Sequence, residues 1–248
     1  MRDWDEYAAR WRADNSWVKI EDLANTLPRG AYLRLVGDEW GDKRSVREFV
    51  ADFVVPHLSP DAIAVEIGSG GGRIAVMVAP WCRLLIALDT SAEMIGALRE
   101  AAAPLRNIVP ILMAPGNARL PLADASVDLI YSFDVMVHLD QRTIFRYLDE
   151  ISRVLKGGGV AAVHHATCET AAGWEHFVQS VARGVNEGDF ASFEYLHSTT
   201  LRQMADQVGL AVLGTTIGRR GNFYYERDVV ALLRKVTTPI GCRRSGPI

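Results

Sequence analysis

The sequence predicts an α/β protein built on a doubly wound, mostly parallel sheet of seven strands, and two observations lead to this prediction. First, short apolar strand patterns alternate along the chain with helical patterns, which is typical of parallel strands connected by crossover helices. Second, the strand patterns are apolar along most of their length, which indicates that helices cover both faces of the sheet. The 248 residues, 49% of them hydrophobic, are enough for one such domain with a small appended lobe.

The elements can be followed in order from an N-terminal helix, which carries Trp4, Tyr7 and Trp11 at helical spacing. A second helix has an apolar face over 46–54 and ends near Pro56. The strands that follow are predicted at 62–67, 83–89, 107–114, 126–134, 159–165, 210–217 and 227–235. Further helices are predicted at 74–79, 92–103, 143–155, 174–185 and 199–208.

Three local signals refine this order. Ser91 is predicted to cap the helix that begins at Ala92, because a serine side chain can accept a bond from the first helical turn. Pro110 is expected to break the third strand. The polar stretch 218–226 between the last two strands has no room for a crossover helix, so these strands should pair antiparallel.

We divide the chain into an N-terminal helical lid (1–42), a sheet domain (43–236) and a flexible tail (237–248). The tail is rich in Pro, Gly and Arg and lacks hydrophobic periodicity, which is typical of mobile termini. Within the sheet domain, the insertion 167–198 is expected to contribute a second part of the lid.

The composition limits the possible partners. A formal net charge of −3 gives no broad basic field, so neither nucleic acid nor an anionic membrane is an expected partner. We find no signal peptide and no apolar run of bilayer length. The cysteines Cys82, Cys168 and Cys242 are odd in number and scattered, which is typical of reduced thiols in a cytoplasmic protein. The composition leaves a monomer and a homodimer equally open.

The stretch VEIGSGGGR, from Val65 to Arg73, carries the first chemical signal. Four glycines in five residues imply that something approaches the backbone closely, because glycine is otherwise costly in a strand or helix. A dinucleotide-binding fold would have its third glycine at position 73, and Glu66 would repel a pyrophosphate. An acid two residues before the first glycine favours a cationic ligand instead.

At these residues the sequence resembles the class I S-adenosylmethionine-dependent methyltransferases of the type 11/25-like group, whose first motif is an acid followed by G-x-G-x-G. The likeness continues through Asp89 at the end of the second strand, through GNARLPLADASVDLIYSFDVMVHL (116–139) and through ISRVLKGGGV (151–160). It covers roughly residues 46–163 in the order and spacing of the family. The resemblance implies a Rossmann-like fold and S-adenosyl-L-methionine as the cofactor.

The resemblance also implies a set of cofactor-binding residues at the carboxyl ends of the strands, where such sheets bind ligands. Asp89 would accept both ribose hydroxyls. Asn117 stands where the family commonly has Asp, and its amide can still accept a bond from the adenine amino group. The full implied set is Glu66, Gly68, Ser69, Gly70, Gly72, Asp89, Thr90, Met94, Asn117, Ala118, Ser132 and Phe133.

Catalysis is predicted in SFDVMVHL (132–139), directly after the fourth strand. Asp134 and His138 are four residues apart and would share one face of a helix, where the carboxylate could orient the imidazole as a general base. The segment resembles the S-x-D-x-x-x-H segment of phosphoethanolamine methyltransferases, in which the histidine serves in catalysis. The sequence leaves a catalytic and a structural role for His138 equally open.

Trp40, His165 and Tyr195 are the further candidates for contact with the substrate. His164, His165 and Cys168 also raise the question of a metal, but an H-x-x-C pattern is only half of a zinc site. Adjacent histidines on a strand point to opposite faces, so at most one of them reaches the pocket. We therefore expect no metal.

Together these features predict a cytoplasmic methyltransferase that acts on an oxygen or nitrogen nucleophile of a small molecule, such as a metabolite, a natural product or a sugar. Three alternatives stay open. Glu66 and Arg73 disfavour a nicotinamide-dependent oxidoreductase. An aminopropyl transferase of the same fold would need more acids around a polyamine channel. An S-adenosylmethionine-binding module without catalysis would fit if His138 is structural.

Overall fold

The computed structural model describes residues 4–13, 33, 36, 43–184 and 192–237, which include one mixed sheet of seven strands. The strands are β1 (Ile63–Ile67), β2 (Leu84–Asp89), β3 (Ile108–Leu112), β4 (Val127–Ser132), β5 (Leu155–Ala166), β6 (Leu210–Thr215) and β7 (Asp228–Lys235). Their order across the sheet is β3-β2-β1-β4-β5-β7-β6. Pairs from β3 to β5 are parallel, whereas β7 is antiparallel to both β5 and β6. The predicted fold class is confirmed.

The described helices are α1 (Trp4–Ala13), α2 (Lys43–Phe49), α3 (Ala75–Val78), α4 (Ala92–Ala102), α5 (Gln141–Val154), α6 (Ala171–Ala182), α7 (Ser198–Gln207) and α8 (Phe223–Arg227). Polar side chains cap several of them, because the first N–H groups of a helix have no partner within it. Ser91 Oγ accepts from Met94 N at the start of α4, as predicted. Asp140 caps α5 in the same way, through Arg142 N and Thr143 N.

Two apolar cores cover the two faces of the sheet. Helices α2, α3 and α4 pack on one face, where Phe49 and Leu98 are buried. Helices α5 and α7 pack on the other face, where Ile151 and Leu201 are buried. Neighbouring residues of a strand face opposite cores, so Glu66 of β1 points toward the face of α2, α3 and α4.

The expectation that Pro110 breaks the third strand was wrong. Pro110 lies inside β3, paired in register with Ala87 of β2. Strand β3 is at the edge of the sheet and pairs only with β2, so proline, which has no N–H to donate, is tolerated there.

Some element boundaries in the C-terminal half of the chain also differ from the prediction. The short α8 lies between β6 and β7, with Asn222 as its cap, but it is no crossover helix and the two strands pair antiparallel as predicted. Strand β5 begins at Leu155, four residues before its predicted start.

Among the described residues, no helix combines the length and the apolarity needed to span a bilayer.

Candidate active site

The candidate site lies at the carboxyl ends of β1 and β4, which are neighbours in the middle of the sheet. The chain leaves β1 toward β2 on one side and leaves β4 toward β5 on the other. Connections that diverge in this way open a crevice between the two strands, which is where doubly wound sheets bind ligands. The segments that follow β1 and β4 therefore form the two walls of the site.

The glycines after β1 differ in what surrounds them. Gly68, Gly70 and Gly72 all have positive φ, at 75°, 52° and 94°. A Cβ at Gly68 would lie 2.1 Å from Val135 Cγ2, and one at Gly72 would lie 2.6 Å from Leu98 Cδ1. Among the described residues, a Cβ at Gly70 would meet nothing within 4 Å. Packing therefore explains the glycines at 68 and 72, whereas Gly70 has no such neighbour in the described part of the chain.

Asp89 ties this loop to the start of α4. Its Oδ2 accepts from Gly70 N at 2.7 Å, and its Oδ1 accepts from Ser91 N at 2.9 Å. Burial raises the pKa of Asp89, although these backbone donors oppose the shift. Each carboxylate oxygen has a second lone pair, so Asp89 can still accept bonds from ligand hydroxyls. Met94, behind it in α4, is buried.

Helix α1 contacts the segments that follow β2 and β4 through two consecutive residues. Asp5 Oδ1 accepts from Ser91 Oγ at 2.5 Å and from Glu93 N at 3.2 Å, at the N-terminus of α4. The Trp4 ring lies edge-on to the His138 ring, with centroids 5.1 Å apart, on the β4 side. Helix α1 thus joins the segments after β2 and β4, the two neighbours of β1 in the sheet. The side chain of Trp11 lies outside the described residues.

Three polar atoms near the glycine loop are buried without a hydrogen-bond partner among the described residues: Glu66 Oε2, Ser69 Oγ and the Tyr131 hydroxyl. Burial raises the pKa of Glu66 well above its usual value. Orphaned buried polar atoms are rare in folded proteins, so each indicates a functional or strained place.

The loop between β3 and β4 carries the predicted adenine contacts and is held by α5. Asn117 Oδ1 accepts from Arg119 N at 2.9 Å, and Ala118 is buried beside it. Arg153 of α5 donates to the carbonyls of Leu120 and Leu122 at 3.0 and 2.9 Å. The Arg153 side chain therefore fixes the backbone that carries Asn117.

Ser132 and Phe133, at the end of β4, are used mainly inside the protein. Ser132 Oγ donates to the carbonyl of Ile67 in β1 at 3.2 Å, so it ties the two central strands together. The Phe133 ring stacks on His164 with centroids 4.5 Å apart and lies 4.4 Å from the Phe49 ring.

The structure does not pair Asp134 with His138, and the prediction that they share a helical face was wrong. Asp134 has φ of 57°, a left-handed conformation, and the 3₁₀ turn that carries His138 starts only at Met136. The Asp134 carboxylate instead accepts from Arg73 Nη2 at 2.8 Å and from the Tyr224 hydroxyl at 3.3 Å.

His138 is oriented by a different group. Its Nδ1 lies 3.3 Å from the carbonyl oxygen of Ser192, and a carbonyl can only accept, so the proton belongs on Nδ1. The lone pair is then on Nε2. The ring also meets Phe193 edge-on at 5.4 Å. His138 thus lies between α1 and residues 192–193.

His164 belongs to a buried polar network behind Asp134. Its Nδ1 accepts from Asp134 N at 3.1 Å, and its Nε2 lies 3.1 Å from Asp228 Oδ2. Burial alone would raise the pKa of Asp228, but the bonds from His164 and Arg227 lower it. This network holds the backbone of Asp134 in its left-handed conformation.

The structure describes two of the three residues predicted to contact the substrate, and these two have different neighbours. His165 is fully buried with its Nδ1 bonded to the carbonyl of Ala166, and its Nε2 has no partner among the described residues. Burial lowers the pKa of His165 to about 4, which keeps the ring neutral. The Tyr195 hydroxyl bonds to His176 Nδ1 at 2.9 Å. Trp40 lies outside the described residues.

The side chains that raised the question of a metal have other surroundings in the described ranges. There, no group of three or more His, Cys, Asp or Glu side chains could hold a metal ion. His164 is committed to Asp228, and burial raises the pKa of the partly buried Cys168 thiol.

Sequence reasoning missed four residues of the site: Arg73, Tyr224, His164 as a partner of Asp134, and Asp5. Arg73 had a local signal, since a charged residue directly after a glycine loop faces the same crevice. Tyr224 had none, because its partner Asp134 is 90 residues away in the chain.

Comparisons with known proteins agree with this geometry. Residues 65–163 match a family described as “Methyltransferase domain”. A Mycobacterium tuberculosis protein named “Probable S-adenosylmethionine-dependent methyltransferase” is 35% identical over 115 residues. That alignment covers 44% of this chain and 39% of the relative, so the chain spans well under half the length of the curated relatives it matches.

Solved structures are similar over more of the chain. A Haemonchus contortus phosphoethanolamine N-methyltransferase, in complex with phosphoethanolamine and S-adenosylhomocysteine, has a TM-score of 0.64 and 18% identity. The match covers 94% of this chain and 50% of that one. The cyclase SpnF has a TM-score of 0.57 and 16% identity, with 79% and 81% of the two chains covered. At these identities the likeness shows the fold alone.

Proposed function

We propose, from the premise that residues 65–163 match a methyltransferase domain, that this chain transfers a methyl group from S-adenosylmethionine to an oxygen or nitrogen nucleophile of a small molecule. The single observation that carries the proposal is Gly70. Among the described residues, it is the one glycine of the loop triad 68, 70 and 72 whose Cβ would meet no neighbour within 4 Å, and its N–H is bonded to Asp89.

The residues at the crevice fit S-adenosylmethionine. Gly70 leaves room for close approach to the backbone, and Asp89 keeps lone pairs for the ribose hydroxyls. Glu66 Oε2 and Ser69 Oγ are buried and lack hydrogen-bond partners among the described residues. Such atoms are expected where a cationic ligand with hydrogen-bonding groups would supply the partners. Asn117 would contact the adenine and Met94 would pack near it. The cofactor, when bound, supplies a methyl group already activated by its sulfonium.

His138 is our candidate for the general base. The bond from Nδ1 to the Ser192 carbonyl fixes the tautomer and leaves the lone pair on Nε2, which is the form that accepts a proton. Asp134 is not its partner. With Arg73, Asp134 forms an ion pair that spans from the glycine loop to the end of β4, and we assign to this pair the orientation of the acceptor.

The N-terminal helix and the segment around Tyr195 are proposed to cover the bound acceptor. Trp4, His138, Phe193 and His176 follow one another in ring contact, so the two covers meet at His138. Such an aromatic wall favours an acceptor with an apolar or planar part. We place the protein in the cytoplasm, as a monomer or homodimer, and expect neither nucleic acid nor membrane as a partner.

A cofactor-binding protein that does not transfer methyl groups is the second candidate. The observation in its favour is that a backbone carbonyl orients His138 Nδ1, a contact that a purely structural histidine would also make. The structural likeness to a cyclase shows that this fold accommodates another activity.

One experiment separates the two candidates. Small oxygen and nitrogen nucleophiles are screened for uptake of labelled methyl from S-adenosylmethionine, while calorimetry measures S-adenosylhomocysteine binding. His138→Gln should lower turnover about 10²- to 10⁴-fold with little change in binding. His57→Gln, at a histidine that precedes β1 and lies away from the carboxyl ends of the strands, is the matched control and should keep full turnover. Cofactor binding with no methyl uptake by any acceptor supports the binding module, and full turnover of His138→Gln rejects the base.

A further inference from the structure

Two polar side chains from neighbouring strands are buried side by side beneath the glycine loop. Glu66 of β1 and Tyr131 of β4 are register partners, with 3% and 0% of their surfaces exposed. Partners in register on parallel strands point to the same face of a sheet. Both side chains therefore point toward the core under α2 and α3, below the glycine loop.

These two groups are close enough to interact, but no hydrogen bond of full geometry joins them. Glu66 Oε2 and the Tyr131 hydroxyl each lack a partner at hydrogen-bonding geometry among the described residues. Tyr131 nevertheless acts as a weak hydrogen-bond donor that lowers the pKa of Glu66, while burial and then the Glu66 carboxyl raise the pKa of Tyr131. A weak bond between two buried polar groups leaves room for a tighter one once the carboxyl is charged.

Several groups act on the Glu66 carboxyl. Burial raises the pKa of Glu66 well above its usual value; the Tyr131 hydroxyl and then the charge of Arg73 oppose the shift, and the charge of Asp89 adds to it. The Cys82 thiol also raises the pKa of the Tyr131 phenol. Without a further cation nearby, the neutral acid is the favoured form of Glu66.

We propose that Glu66 and Tyr131 form a proton-carrying pair that couples cofactor binding to proton release. Glu66 holds a proton until the cationic cofactor binds. The carboxyl O–H bond then breaks, the proton leaves to solvent, and the Tyr131 hydroxyl turns to donate to the new carboxylate. Glu66 acts on the cofactor through its charge, and Tyr131 is a positioning residue. This inference rests on the proposed function for the identity of the ligand.

Two consequences follow from linkage between protons and ligand. Each cofactor bound should release up to about one proton, and the affinity should fall about tenfold per pH unit below the pKa of Glu66. S-adenosylmethionine should show the stronger effect. S-adenosylhomocysteine lacks the sulfonium charge, so it should lower the pKa of Glu66 less than S-adenosylmethionine does.

The proton is counted by titration calorimetry of each ligand in phosphate and in Tris, whose ionisation heats differ, from about pH 5.5 to about pH 8.5. We expect proton release from the wild type, loss of that release in Glu66→Gln, and release at higher pH in Tyr131→Phe. His57→Gln is the matched control, because His57 lies before β1 at the opposite end of the strand, and it should behave as the wild type.

The outcomes distinguish failure of this inference from failure of the proposed function. Binding without proton release in the wild type, or equal release in wild type and Glu66→Gln, overturns the inference and leaves the proposed function intact. Absence of binding by either ligand overturns both. If Glu66→Gln does not fold, Tyr131→Phe decides, since an unchanged pH profile in that variant rejects the pair.

Discussion

The glycine loop gives the sharpest test, because its glycines are predicted to fail in different ways when each becomes alanine. Gly68→Ala places a methyl 2.1 Å from Val135 Cγ2, in a backbone conformation with φ of 75°. Gly70→Ala has the strained backbone, with φ of 52°, but the described residues place no neighbour within 4 Å of the new methyl. The first variant should damage the fold, and the second should damage the ligand site.

The magnitudes follow from these surroundings. A left-handed conformation costs a residue with a Cβ roughly 1 to 2 kcal/mol, and a forced methyl in a packed core costs about 1 to 3 kcal/mol more. Gly68→Ala should therefore lose about 2 to 5 kcal/mol of unfolding free energy, or roughly 4 to 20 °C in Tm. Gly70→Ala should lose only about 1 to 2 kcal/mol. If a ligand fills the space before Gly70, the methyl should weaken its binding about 5- to 150-fold.

The assay compares Tm and S-adenosylhomocysteine affinity in Gly68→Ala, Gly70→Ala and the double variant Gly68→Ala/Val135→Ala. Removing the Val135 methyls should return part of the stability lost at position 68, because the contact at 2.1 Å is gone. Wild-type affinity in a folded Gly70→Ala protein would refute the reasoning, since the loop would then be only a tight turn.

Three further predictions address the neighbouring groups. Asp89→Ala should weaken S-adenosylhomocysteine binding about 10-fold or more, because a charge-assisted bond contributes roughly 1.5 to 3 kcal/mol. An unchanged dissociation constant would mean that Asp89 serves only to link Gly70 and Ser91. His165 stays neutral down to about pH 4 in the folded protein, whereas in the unfolded chain it accepts a proton near its ordinary pKa. The wild type should therefore lose up to roughly 3 kcal/mol of unfolding free energy as the pH falls from the unfolded pKa to the folded pKa of His165. His165→Leu should abolish that part of the loss in denaturant titrations at two pH values. Deletion of residues 1–13 should lower turnover far more than Tm, and an unfolded product would instead assign α1 to the core.

Much of the fold was predictable from local patterns. Helix and strand order, the cap at Ser91 and the antiparallel last pair all follow from residues that are close in sequence. The meeting of Asp89 with Gly70 was also predictable, because the carboxyl ends of adjacent parallel strands share one edge of the sheet. The effect of Pro110 was not, since an edge position depends on the whole strand order.

The sequence by itself therefore determined the alternation of elements, the family resemblance and the place of the ligand crevice, because periodicity, caps and glycine loops are recorded in neighbouring residues. Only the tertiary structure decided the partners of the polar side chains. Asp134 bonds to Arg73 and Tyr224, which are 61 and 90 residues away, rather than to His138 four residues on. The reason is physical: a left-handed backbone at Asp134, held by His164, turns its side chain away from the following turn, and no local pattern encodes that constraint.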